Sequence, residues 1–421
     1  MAWRVHRKVG VKINISNNFS ERSQINILYW IQFFHYFATI LLMVLLALIF
    51  LEEPFNFSTT SIATLVAIYA FTSHAFEPLT SVLVKRIGYK FSLVLSGLLC
   101  FCSLALMILF STYYLCLLFL LLCSFGKALS GLSIRLRISE IHSDEERLLA
   151  FGKNYRVINI AAGLGPVVGF SIGYANYVIE IIALAALLYF IGSVLAYVLL
   201  NNDKQLENNQ KEIYKTSLFE KMSALKNSLI YYLLLMFIVY TCFQISLYPF
   251  LLKMEQGVPQ YMGYLLAINP FMVIVFQKTI TQFYAKSLLQ YRDLGYLIGI
   301  LFNVVAFVIM CVNHTIPYFI AFIVFITLGE MLIYPTIDFS ISKNATKIIK
   351  PFLLSMCGLV VAFGRTFSEG GGIYVIGKMK ELHISMALWW KINLLIATFL
   401  FMAFIISFIK MKRSARIKAC Y

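Results

Sequence analysis

Long apolar runs, separated by short polar segments, fill the chain from residue 25 to residue 410. A helix needs about 20 mostly apolar residues to cross a bilayer, and about twelve runs of that kind can be drawn. Their approximate limits are 25–51, 59–84, 91–111, 114–138, 149–175, 177–200, 228–253, 260–285, 293–313, 317–340, 351–377 and 386–410. No strand-and-turn alternation competes, which argues against a membrane β-barrel. The pattern predicts an all-α integral membrane protein. The longest internal polar stretch, 201–227, reads NNDKQLENNQKEIYKTSLFEKMSALKN and splits six spans from six. The expected layout is a tail (1–24), a six-helix bundle (25–200), a central loop (201–227), a second six-helix bundle (228–410) and a basic tail (411–421).

Composition agrees: 61% of the 421 residues are hydrophobic, 13% are charged, and mean hydropathy is +0.82. Soluble domains are about half apolar and about a quarter charged. The net charge of +16 would suggest nucleic acid until the charges are placed. Most Lys and Arg residues fall in the tails, the central loop and every second connection; the other face receives only Lys253, Lys378 and Lys380. That bias puts both termini in the cytoplasm and points to anionic lipid as the partner of the basic segments, not nucleic acid. The first apolar run begins only at Ile25 and is too long for a signal-peptide core, so it reads as a retained span. The eight cysteines form no CxxC or His/Cys ligand spacing and imply neither disulfide nor metal.

A weak internal repeat underlies the two bundles. A shift of 203 residues lays the first span on the seventh and the fourth on the tenth, so that FGKALSGLSIRLRISE (125–140) faces LGEMLIYPTIDFSISK (328–343). Lys127 then superposes on Glu330, Arg135 on Asp338 and Glu140 on Lys343, three pairs of opposite sign. Halves related by a pseudo-two-fold axis along the membrane normal would bring each acid opposite a base. Lys127 and Glu330 lie about 12 residues, roughly 18 Å, from the cytoplasmic helix ends. Ionisable residues at such depth are functional by default, so this pair is the candidate for proton coupling. Arg135/Asp338 and Glu140/Lys343 are candidate gate pairs.

The fifth span carries AAGLGPVVGF, with Gly165, Pro166 and Gly169 as small and bending residues that admit a neighbouring helix. With the preceding SDEERLLAFGKNYRVIN and the six-plus-six layout, this resembles the major facilitator superfamily, and the Gly-Pro run is similar to the antiporter motif of its drug:proton branch. The resemblance implies that Gly165, Pro166 and Gly169 pack against the other half and shape alternating access. ITLGEMLIYP resembles a Gly-Glu segment in the tenth span of proton-coupled members, which implies a proton or substrate role for Glu330. The chain departs from the family elsewhere. In SVLVKRIGYK, Arg86, Gly88 and Lys90 fit the signature between spans two and three, but Ser81 stands for its Gly and Lys85 for its Asp. The charge relay of that Asp has no counterpart here. The first span also lacks the Glu-x-x-Glu-Arg run of the peptide-transporter branch.

Polar residues at helical spacing suggest what lines a cavity between the halves. Tyr29, Gln32 and Tyr36 share one face of the first span, and Tyr240, Gln244 and Tyr248 share one face of the seventh. Tyr334 lies one turn beyond Glu330, and His35 is a possible but isolated relay. In the eleventh span, Arg365 and Glu369 stand four apart, before a Gly370–Gly372 run that weakens the helix. No nucleotide-binding loop and no catalytic constellation is present, so neither an enzyme nor a cofactor is expected. The reading is a monomeric secondary-active transporter of a bacterial inner membrane, exporting an amphipathic small molecule in exchange for protons. A proton-coupled importer of an amino acid, peptide or siderophore is the alternative within the fold. A non-transporting receptor or sensor is the alternative outside it.

Overall fold

The structure, a computed structural model, describes residues 21–139, 144–173, 175–201, 218–255, 257–283, 292–343 and 350–419. The first bundle holds α1 (Glu21–Ile49), α2 (Thr59–Ala75), α3 (Glu77–Leu109), α4 (Tyr113–Ser139), α5 (Asp144–Ile172) and α6 (Val178–Leu199). The second holds α7 (Leu218–Cys242), α8 (Gln244–Glu255), α9 (Met262–Leu266), α10 (Ile268–Phe283), α11 (Arg292–Val312), α12 (Ile316–Lys343), α13 (Lys350–Arg365), a π-helical segment (Thr366–Gly371), α14 (Gly372–Glu381) and α15 (Ala387–Ala419). Eleven segments among the described residues are apolar and long enough to cross a bilayer uninterrupted. The remaining crossing is α13–π–α14, which the π-helical segment breaks.

Local chemistry explains where the helices bend. The backbone at Gly88 takes φ 80°, a left-handed value that glycine adopts without a Cβ clash, and two helical stretches of α3 meet there, one continuing span two and the other forming span three. Span seven bends at Phe243 between α7 and α8, and Pro249 removes a backbone donor six residues later. Span eight bends at Ala267, just before Asn269 and Pro270. The last residues of the expected central loop instead begin α7 at Leu218; residues 202–217 lie outside the described part. The outer surface is apolar: Leu395 and Phe399 of α15 are 73% and 72% exposed, as side chains against lipid should be.

The halves meet along two seams. In one, α2 packs against α13 and the π-helical segment; in the other, α5 packs against α9 and α10. These are one contact used twice, because the 203-residue shift carries span two onto span eight and span five onto span eleven. Both seams rely on missing side chains. A Cβ on Gly370 would stand 2.7 Å from Ala67 Cα, and one on Gly263 would stand 2.5 Å from the Pro166 carbonyl oxygen. A Cβ on Gly165 would meet Ile40 Cγ2 at 2.8 Å, and Gly169 sits against Leu45, so α5 is wedged between α1 and the other half. On the face away from the start of α1, Lys253 Nζ and Glu52 Oε1 join the halves at 2.6 Å.

Gly370→Ala is expected to destabilise the seam by about 1–3 kcal/mol, because its obstacle includes backbone that cannot rotate away. Ala67→Gly in the same chain should recover part of the loss. Thermal unfolding of the purified variants checks both; a Gly370→Ala protein as stable as wild type would contradict the close packing.

Candidate functional site

Ionisable side chains collect at the seams in two clusters. The first cluster centres on Arg365, which is only 1% exposed. Its Nη2 donates to Glu369 Oε2 at 2.9 Å and lies 2.6 Å from Met43 Sδ of α1. Its guanidinium carbon sits 4.6 Å from the Phe243 ring centroid, at the bend of span seven. Glu369 is placed by the π-helical segment, a wound form that recurs at functional positions. Thr366 Oγ1 donates back to the Ala362 carbonyl at 2.7 Å, and Gly370 and Gly371 supply the flexibility the turn needs. From the first half, Lys127 of α4 lies 5.6 Å over the Tyr69 ring, close enough to feel both Arg365 and Glu369. At the glycine run the winding changes to a π-helical turn that carries Glu369, paired with Arg365, while Lys127 stays within electrostatic reach of both.

The second cluster centres on Glu330. Its Oε2 accepts from Asn269 Nδ2 at 2.9 Å, and Asn269 also donates to Thr327 Oγ1 at 3.0 Å. Tyr155 of α5 and the Cys242 thiol adjoin the same carboxyl group. Tyr155 stacks on Tyr334 at 6.2 Å across the seam. All these neighbours are neutral. Among the described residues, Glu330 forms no ion pair. Tyr36 of α1 lies within electrostatic reach of both Arg365 and Glu330.

Several expectations from the repeat need correction. Lys127 lies over the Tyr69 ring of span two, and among the described residues no ion pair joins it to Glu330. Span eleven packs against span two and span five against span eight, so Glu330 is reached from the first half by Tyr155 of span five. Arg135 pairs within its own half, with Glu77 at 2.7 Å, and His74 approaches the same carboxylate at 3.3 Å. Glu140 lies outside the described residues, as do the side chains of Asp338 and Lys343, so the gate pairs remain expectations. Tyr240 and Gln244 turn into the second half: Tyr240 donates to Asn393 at 2.6 Å, while Gln244 donates to Ser368 at 2.9 Å and accepts from Trp389 at 3.1 Å. They tie α7, α8, the π-helical segment and α15 into one body. Tyr29 donates to the Ala150 carbonyl at 3.2 Å, and Gln32 is buried. His35 is also packing: its Nδ1 bonds Ser130 at 2.7 Å, and its ring fills the space left by Gly192.

Sequence reasoning missed Asn269, Tyr155, Met43 and Phe243. Only Asn269 left a signal, as an Asn-Pro pair inside an apolar span. Among the described residues no three His, Cys, Asp or Glu side chains gather as metal ligands.

Two six-helix bundles, joined along repeated seams with charged groups buried between them, are the architecture of a membrane transporter. The Major Facilitator Superfamily family model matches residues 28–369, and the chain belongs to that family. No curated protein matches it in sequence. Among solved structures it is similar to a POT family transporter in complex with a thioalcohol-conjugated peptide, with TM-score 0.76 and 14% identity over 92% of this chain and 96% of that one. It is also similar to a POT family transporter in complex with 5-aminolevulinic acid, with TM-score 0.71 and 14% identity over 91% and 95%. A third similar structure is the nucleoside transporter NupG, with TM-score 0.70 and 15% identity over 92% and 99%. At these identities the likeness shows the fold.

Asn269→Leu removes the one side-chain amide bonded to Glu330. An unsatisfied buried acceptor costs about 1–3 kcal/mol, more if it is charged. The variant is expected to shift the pH dependence of transport while Asn313→Ala, in the exposed connection after α11, leaves that profile in place. Transport rates measured across a pH series check this; coincident profiles for Asn269→Leu and wild type would contradict the contact.

Proposed function

We propose that the chain is a proton-coupled transporter of a small amphipathic molecule, with Glu330 as the proton-carrying group. The observation that supports this reading is the placing of Glu330: a carboxyl group at the seam, held by neutral donors. Such a group can gain or lose a proton without first breaking an ion pair. Contacts from both halves, Tyr155 on one side and Asn269 on the other, make its surroundings depend on how the halves sit. Proton occupancy and conformation are then linked, because a ligand shifts a two-state balance when it binds the two states unequally. Lys127 serves in this scheme through Glu369, not through Glu330.

Export is the direction the Gly165-Pro166-Gly169 run favours. Pro166 presses on Gly263 of the other half, the place where the antiporter-like motif would control the rocking of the bundles. Uptake is the second reading, supported by the peptide and nucleoside transporters whose structures this chain resembles. The bias of Lys and Arg toward one side supports a cytoplasmic face at the start of α1, and this reading takes the protein as a monomer in a bacterial inner membrane.

Glu330→Gln mimics a permanently protonated group. It is expected to lose accumulation against a gradient in proteoliposomes under an imposed pH difference, while exchange without a gradient persists. A Glu330→Gln protein that accumulates substrate as wild type does would remove Glu330 from the coupling step. The sign of the pH difference that drives accumulation separates export from uptake.

A further inference from the structure

The cluster around Arg365 holds more donor capacity than its acceptors use. A guanidinium carries five N–H donors in a fixed fork. Here Nη2 takes Glu369 by one contact, the ring of Phe243 covers one face, and the Nε–H, fully buried, has no hydrogen-bond partner. The Tyr69 hydroxyl, in the same cluster and 1% exposed, also has none. Buried donors left unmatched cost about 1–3 kcal/mol each, so two in one place call for an explanation. The charges are unmatched as well. Arg365 and Lys127 bring two bases to one acid, Glu369, and an excess buried cation is costly unless an anion joins it.

We propose that Arg365, with Tyr69, is the binding site for a carboxylate group of the transported molecule, and that Glu369 is its built-in competitor. An incoming carboxylate takes the Nε and Nη2 positions of the fork as a bidentate pair, the geometry that guanidinium matches best. Glu369 gives up Nη2 and turns to Lys127, which already lies within its electrostatic reach. The incoming carboxylate completes the pairing: two bases face one acid when the site is empty and two acids when it is loaded. The π-helical segment makes the exchange feasible, since Gly370 and Gly371 let Glu369 shift without unwinding α13 or α14. Access requires the seam to open, because Met43 of the first half closes over Arg365. Alternating access supplies that opening, so the inference rests on the transporter reading above.

The test reads equilibrium binding, without any gradient. The full-length protein in detergent is unfolded thermally at constant pH and ionic strength with acetate, benzoate or hydrocinnamate, each beside its neutral amide. The acids are expected to raise the unfolding temperature and their amides are not. Glu369→Gln removes the competitor and should tighten binding by about fivefold or more, because a site that must first release an internal occupant binds more weakly by that fraction. Arg365→Lys keeps the charge and loses the fork, and should weaken binding by about tenfold. Equal shifts from acids and amides, no shift from any acid, or unchanged or weaker binding in Glu369→Gln would overturn the proposal. The Glu369→Gln comparison stands even if the Arg365 variant fails to fold. If these results go against the site while Glu330→Gln still uncouples transport, this inference falls and the proton-coupling reading remains.

Discussion

Every charge in the membrane interior of this protein must find its partner within the protein, because hydrocarbon offers no hydrogen bonds. That constraint collects the ionisable groups at the seams between the halves and leaves the outer surface to Leu395, Phe399 and similar residues. It also divides the groups by chemistry. Arg365, Glu369 and Lys127 share charge with one another. Glu330 is satisfied by neutral donors from Asn269 and its neighbours. A transporter needs both arrangements: a charged cluster can exchange partners, and an acid among neutral donors can exchange a proton.

The seams themselves follow from duplication. Span two against span eleven and span eight against span five are the same interface, built from residues small enough for close approach. Gly370 meets Ala67 on one side, and Gly263 meets Pro166 on the other. Closeness is what gives a small motion leverage, since tightly packed interfaces switch between discrete arrangements and do not deform gradually. The Lys253–Glu52 bridge adds a polar tie between halves at one face. The pair is only partly buried and still reached by solvent, so it biases the closed arrangement without locking it.

The architecture was legible because hydrophobic length and charge bias are strong, additive signals along the chain. The Gly370–Gly372 run marked the stretch of span eleven where α-helical winding gives way to a π-helical turn. Glu330, Arg365 and Glu369 stood out as charges in apolar spans. Their partners did not. The repeat gave equivalence, and equivalence was read as opposition; the real neighbours come from the helices beside the axis. Tyr155, Met43 and Phe243 are ordinary residues for membrane helices and acquire a role only by position. Tyr240 and Gln244 show the converse, because polar residues on one helix face also serve to bind a bundle together, as their bonds to Asn393, Ser368 and Trp389 do.

The central claim is that Glu330 changes its protonation state while the rest of the seam keeps its charges paired. Infrared difference spectra of the reconstituted protein, recorded across a pH titration, report carboxyl groups directly through the C=O stretch of the protonated acid. The account predicts a carboxyl band that titrates in the wild type, is absent in Glu330→Gln and persists in Glu369→Gln. A titrating band that survives in Glu330→Gln and disappears in Glu369→Gln would contradict it and move the proton to the Arg365 cluster.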